Sequence, residues 1–150
     1  MRALALSLAL VLAACGQSAP PPPAEAAPGA NITVSDAWAN PTPGGVDAAA
    51  GYLTIINHGA EGDTLIGVTS PRAAHVATHQ MTMNGAVMSM APMEGGLPLP
   101  ARQTVTLAPG GLHLMFTDLT QPFAAGERVP VTLTFEHAAP VTISLEVRAP

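Results

Sequence analysis

The hydrophobic pattern of this chain excludes helices of ordinary length. Nowhere does an apolar period of 3.6 residues persist for a typical helix, whereas short apolar or alternating runs recur at roughly ten-residue spacing. Proline and glycine, 16 and 14 of the 150 residues, separate these runs. Repeated short strands with turn residues between them are typical of an all-β fold, and we predict an antiparallel β-sandwich or Greek-key barrel.

The expected strands follow β-branched and aromatic runs, because such side chains fit a pleated surface. They are residues 31–38, 49–57, 64–69, 103–107, 112–117, 129–135 and 141–147. A further segment, 74–78, leads into a predicted hairpin. Asn84-Gly85 favours a type I′ turn there, which folds Gln80–Met83 against Ala86–Met90. Glycine and proline after this hairpin, at residues 95–100, predict a loop.

The first thirty residues do not belong to this fold. An apolar run over residues 3–14 is too short to span a bilayer. It ends in small residues before Cys15, the only cysteine. This arrangement is typical of a signal peptide at 1–14, and its Leu-Ala-Ala-Cys ending resembles a bacterial lipobox, in which the cysteine becomes a lipid anchor.

The segment after Cys15 is rich in proline and alanine, which makes it a semi-rigid tether over residues 15–30. We therefore expect a domain at 31–150 held at the periplasmic face of a bacterial membrane. An aspartate directly after the lipidated cysteine would resemble an inner-membrane retention signal. Gly16 occupies that position here, so we favour the outer membrane.

Charge and composition exclude other classes of function. There is no lysine, and the formal net charge is −5. A basic patch is therefore missing, and nucleic acid is not an expected partner. No Ser-His-Asp or Cys-His arrangement, phosphate-binding loop or zinc motif is visible, so we do not expect an enzyme.

Methionine is concentrated in one part of the sequence. Five of the seven methionines lie between Met81 and Met93, and another is Met115. The interval from Ala73 to Met93 contains no Asp, Glu, Lys or Arg. Thioethers and imidazoles are its only strong donors. Because soft sulfur ligands select copper(I), this distribution predicts a copper(I) site made of neutral ligands.

The spacing of these donors fits strands. His113 and Met115 are two residues apart on a predicted strand, so their side chains share one face. Met88 and Met90 have the same relation on the second arm of the hairpin. Since His79 precedes the first arm, the hairpin is expected to bring His79 and Met90 near the His113–Met115 edge.

These residues also resemble a known family, the periplasmic copper chaperones that serve the binuclear copper centre of cytochrome c oxidase (PCuAC-like proteins). The family's signature is matched by ten residues between His79 and Met90, twenty-two between Met90 and His113, and one between His113 and Met115. Further similar segments are DAWANPTP (36–43), GYLTIIN (51–57), NGAVMSM (84–90) and PGGLHLMF (109–116).

The resemblance implies a cupredoxin-like β-sandwich with copper(I) bound by His79, Met90, His113 and Met115. It also implies a metallochaperone that passes copper by ligand exchange to the apo copper-A subunit of cytochrome c oxidase, or to another periplasmic copper chaperone. Two alternatives stay open. One is a copper-sequestering resistance protein, and the other is a structural sandwich lipoprotein whose methionines only pack.

The remaining candidates have two interpretations each. Methionine is often core filler. Met81, Met83 and Met88 are therefore expected either to pack in the core or to make secondary contacts to copper. Met93 shares that ambiguity. The other histidines, at positions 58, 75 and 137, are expected to be structural or solvated, although His75 lies close enough in sequence for a peripheral metal role.

Overall fold

The computed structural model describes residues 31–149. The predicted signal peptide, Cys15 and the tether lie outside the described residues. Within the described residues the chain forms ten strands and no helix, and therefore contains no helix that could cross a membrane. The strands are β1 (Ile32–Ala39), β2 (Ala48–Asn57), β3 (Asp63–Thr69), β4 (Ala73–Asn84), β5 (Val87–Pro92), β6 (Leu97–Leu99), β7 (Thr104–Leu107), β8 (Leu112–Leu119), β9 (Arg128–Phe135) and β10 (Val141–Val147).

The strands follow one hydrogen-bonded path in the order β5-β4-β8-β2-β1-β10-β9-β3-β6, and β7 pairs with β2. The path curls, so that β3 near one end contacts β4 near the other. All pairs are antiparallel except β1 with β10, which run parallel. The all-β prediction is confirmed.

One hydrophobic core lies inside the curled sheet. Strand β9 shows how the sequence builds it, because Val129, Val131, Leu133 and Phe135 are buried while the residues between them are not. Strand β8 contributes Leu114 and Phe116 to the same core. Such alternation is the expected pattern for a strand with one face in a core and one face outward.

The hairpin forms one residue later than predicted. Its central residues are Gly85 and Ala86, with Asn84 paired to Val87. Gly85 has a φ of +65°, as the first central position of a type II′ turn requires. A turn centred on Asn84-Gly85 would have paired Met83 with Ala86, and instead Met83 pairs with Met88.

Two further details differ from the sequence prediction. The loop expected at 95–100 contains the short edge strand β6, which pairs with β3; Pro98 is tolerated there because an edge strand leaves one side unpaired. In β1 a bulge between Ser35 and Trp38, with Asp36 at φ +49°, changes the alternation. It turns Trp38 outward beside Tyr52, where the two ring centroids are 4.6 Å apart.

We expect the core around Gly51 to resist any added volume. A Cβ at this position would lie 2.8 Å from Cε2 of Phe116 and 3.0 Å from Cδ1 of Leu145. Overpacking of this kind lowers the free energy of unfolding by about 1–3 kcal/mol, so Gly51→Ala should do so in chemical denaturation.

Gly67→Ala is the matched control, because its Cβ would meet only Cβ of Thr134 at 3.8 Å. That variant should keep or slightly raise stability. Equal stability of the two variants would contradict the packing described here.

Candidate metal centre

Two histidines face each other on neighbouring strands near the β5 edge of the sheet. Strands β4 and β8 pair antiparallel in a register that sets His79 directly opposite His113. The two imidazole centroids are 5.8 Å apart, with an angle of 56° between the ring planes. The neighbouring residue Leu114 points into the core and is fully buried. The alternation of β8 therefore supports a core on one face and the histidine pair on the other.

His113 is held in one orientation by its own strand. Its side chain is only 4% exposed. Its Nδ1 lies 3.1 Å from the carbonyl oxygen of Gly111, to which Nδ1–H donates. A hydrogen bond of this kind fixes the tautomer and leaves the Nε2 lone pair free, as in many metal-binding histidines.

His79 has an unsatisfied polar atom. Its Nδ1 is buried and has no hydrogen-bond partner among the described residues. Burial lowers the pKa of His79 below its ordinary value, and the neighbouring His113 lowers it further. Both effects keep the ring neutral. A neutral imidazole with a buried, unpartnered nitrogen is an energetically costly feature that a bound cation would relieve.

Met115 extends the histidine pair along β8. It lies two residues beyond His113 on the same face and is half-buried. Its cross-strand partners are Ala77 on β4 and Ala50 on β2. Both cross-strand neighbours of Met115 are therefore small residues.

Met90 lies at the margin of the group that His79, His113 and Met115 form. It shares their face of the sheet, but it is on β5 and pairs with Met81, which places it diagonally from His79. It is 48% exposed. Strand β4 lies between Met90 and β8. The residue opposite Met81 on the β8 side is Gly111, which adds no side chain to this face. The structure thus brings His79, His113 and Met115 into one group and leaves Met90 at its margin.

The other methionines fall into two groups. Met81 is half-buried beside His79, while Met83 and Met88 are strongly exposed at the end of the hairpin. The core-filler interpretation is therefore wrong for Met83 and Met88. Met93 packs against the core.

The remaining histidines lie elsewhere. His58 Nε2 is 2.9 Å from Thr33 Oγ1, and His137 Nδ1 is 3.3 Å from Asp63 Oδ1. His75 is exposed, 4.0 Å from a carboxylate oxygen of Asp118. None of them joins the facing pair.

The donor set is uncharged. Within residues 31–149 no three side chains of His, Cys, Asp or Glu are grouped as they would be around a metal ion. Hard divalent ions favour carboxylate clusters, and the candidate centre offers imidazole nitrogens and thioether sulfurs instead. Its chemistry therefore suits a soft ion of low charge.

One contributor escaped the sequence analysis. The Gly111 carbonyl that orients His113 has no motif of its own, although a glycine two residues before a candidate ligand on a strand is a signal that could be searched for.

The chain is similar to proteins that are described as lipoproteins. The family model described as "Putative lipoprotein LpqE-like" matches residues 32–147. The "Putative lipoprotein Lxx21020" of Leifsonia xyli subsp. xyli (strain CTCB07) is 31% identical over 117 residues, which cover 78% of this chain and 69% of that protein.

Solved structures give the same result. The copper-bound PCuAC domain from PmoF2 has a TM-score of 0.68 and 32% identity, covering 80% of this chain and 94% of that one. The solution structure of CuI-DR1885 from Deinococcus radiodurans has a TM-score of 0.58 and 26% identity, covering 83% and 81%. These matches confirm the resemblance to PCuAC-like proteins and the cupredoxin-like fold.

We expect the pKa of His79 to depend on His113. An NMR titration of the ring protons should place it below the ordinary 6.5. Since the electrostatic interaction with His113 lowers the pKa of His79, His113→Gln should raise the pKa of His79.

The control is His75→Gln, which removes an exposed histidine outside the facing pair and should leave the pKa of His79 where it was. An unchanged value in His113→Gln would show that the two rings do not interact.

Proposed function

The chain belongs to the LpqE-like lipoprotein family, and from this premise we propose that it is an exported protein that binds copper(I) and delivers it to another protein. One observation carries the proposal. The imidazole centroids of His79 and His113 are 5.8 Å apart on the face of the sheet away from the core, and the buried Nδ1 of His79 has no hydrogen-bond partner within residues 31–149.

The donors fit copper(I) better than other common ions. Two imidazoles and one or two thioethers make a neutral, soft ligand set. Thioethers need no deprotonation and form no disulfides, so they remain available in an oxidising compartment. Because the ligands are neutral, bound copper(I) keeps its positive charge, which favours exchange over permanent storage.

Each residue has a distinct role in the proposed site. His113, oriented by Gly111, supplies a fixed nitrogen, and His79 supplies the second nitrogen from β4. Met115 adds a sulfur from β8, the strand that also carries His113. Met90, the most exposed of the four, lies where a recipient protein reaches first. Copper then moves by ligand exchange, in which one bond to copper forms as another breaks and the oxidation state does not change.

The proposed recipient is the apo copper-A subunit of cytochrome c oxidase or another periplasmic copper chaperone. The leader, with Cys15 as lipid anchor, places the protein at the periplasmic face of a membrane, and we favour the outer membrane. The word lipoprotein in the family description and in the name of the Leifsonia relative supports the anchor. The 15–30 tether lets the domain reach its recipient.

Copper(I) titration against a competing chelator tests the binding step. We expect the protein to bind copper(I), and His113→Ala combined with Met115→Ala to lose the tightest binding step, because one nitrogen and one sulfur of the group are removed. His58→Ala combined with Met93→Leu is the control, since neither residue faces the group. Absence of copper binding would leave only a structural lipoprotein, and an equal affinity of the two double variants for their first copper ion would exclude His113 and Met115 as ligands.

The same titration should depend on pH. A proton competes with copper for each imidazole, so affinity falls as pH falls. For one ligand with the ordinary histidine pKa near 6.5, the loss between pH 7 and pH 5 is roughly 25-fold. The lowered pKa of His79 makes its own share smaller. Thioethers do not titrate, so binding weakens without vanishing, and a flat profile would exclude histidine ligation.

Deletion of the gene separates delivery from sequestration. If the protein delivers copper, cytochrome c oxidase activity should fall in the deletion strain and return with added copper or with the wild-type gene, but not with the His113→Ala, Met115→Ala gene. Copper sensitivity with full oxidase activity would instead identify a sequestering protein.

A further inference from the structure

The tip of the β4–β5 hairpin keeps large apolar side chains in water. Met83, Met88 and Met90 share one face and are 62%, 60% and 48% exposed, Val87 on the other face is 66% exposed, and every residue of β5 is exposed. A strand face that carries apolar residues ordinarily packs against a core. This face has no such partner among the described residues, so packing does not explain its methionines.

The register arranges these methionines in pairs. Met83 is directly opposite Met88, and Met81 is directly opposite Met90. Directly opposed residues share a face, with Cβ atoms about 4.5–5.5 Å apart. Four thioethers therefore lie side by side on the face that also carries His79.

The other face of the same hairpin is different. The residues that alternate with the methionines form the cross-strand pairs Gln80–Ala91, Thr82–Ser89 and Asn84–Val87, so this face carries apolar residues but no methionine. Methionine is thus confined to one side, and it is the side of the histidine pair. A general requirement for apolar residues at the tip would not select this side, nor would it select sulfur over Leu or Val.

The electrostatics are also those of a soft-metal site. No Asp, Glu, Lys or Arg lies between Ala73 and Met93, and the next charged residue is Glu94. Uncharged thioethers attract hard cations poorly, whereas copper(I) and silver(I) bind them. A pair of thioethers without imidazole or thiolate makes a weaker site than the histidine pair can make.

We propose that Met83 and Met88, with Met81 as a third donor, form a second copper(I) site at the hairpin tip. This inference rests on the proposed function, in which copper(I) is the cargo. Copper would pass between the tip and the histidine pair through Met81 and Met90. At each step one copper–sulfur bond forms as another breaks, and copper stays monovalent.

Methionine methyl NMR tests the proposal directly. The full chain, labelled with carbon-13 at the methionine methyl groups, is titrated with copper(I) under anaerobic conditions. We expect the first equivalent to shift the methyl signals of Met90 and Met115, and the second to shift those of Met81, Met83 and Met88. Met93, packed on the core, should not shift and serves as the internal control.

A leucine variant then separates sulfur from apolar surface. Met83→Leu combined with Met88→Leu nearly conserves volume and hydrophobicity, and it should lose the second equivalent while the Met115 signal still responds to the first. Met93→Leu is the matched control and should bind both equivalents.

Each other outcome has a definite meaning. A wild-type protein that binds a single equivalent, or a leucine variant that still binds two, overturns the second site. If Leu at both positions changes nothing about copper, the apolar tip serves protein contacts instead. Failure to bind even the first equivalent would reject the proposed function itself, so the two failures are distinguishable.

Discussion

The pairing of β4 with β8 is the constraint on which the candidate centre depends. The two strands are far apart in sequence, and their register alone sets His79 opposite His113. That register is fixed by the other face of β8, where Leu114 and Phe116 are fully buried. A slip of one residue would turn these side chains to solvent and the histidines into the core. Hydrophobic packing therefore determines the geometry of the polar group.

Much of this arrangement follows from local sequence pattern. The period of two on β8 and β9 correctly predicted which residues share a face, because strand alternation is a property of neighbouring residues. The position of Met90 could not be predicted in the same way. It depends on the hairpin register, and Asn84-Gly85-Ala86 permits turns centred on either pair of residues. The hydrogen bond from His113 to the Gly111 carbonyl is local, but no established sequence motif announces it.

The proposed ligands differ in their exposure to solvent. His113 is buried and hydrogen-bonded, Met115 is half-buried, and Met90 is open to solvent. Fixed ligands are preorganised and bind without a large loss of side-chain freedom, whereas exposed methionine loses more rotamer entropy when it is ordered. A metal bound by a buried ligand on one side and by an exposed ligand on the other is accessible at its exposed side. A competing ligand can therefore bind there before the bonds to the buried ligand break.

The uncharged hairpin has a cost that its proposed role explains. Strand β5 is an edge of the sheet, and natural proteins protect such edges with charged residues, proline or short length. Strand β6, at the opposite end of the path, is three residues long and contains Pro98. Strand β5 is longer and carries only Pro92 at its end. Lysine would protect it but repel a copper cation, and carboxylates would attract harder ions. An edge left neutral and rich in thioethers is consistent with a surface that must receive and release a soft cation.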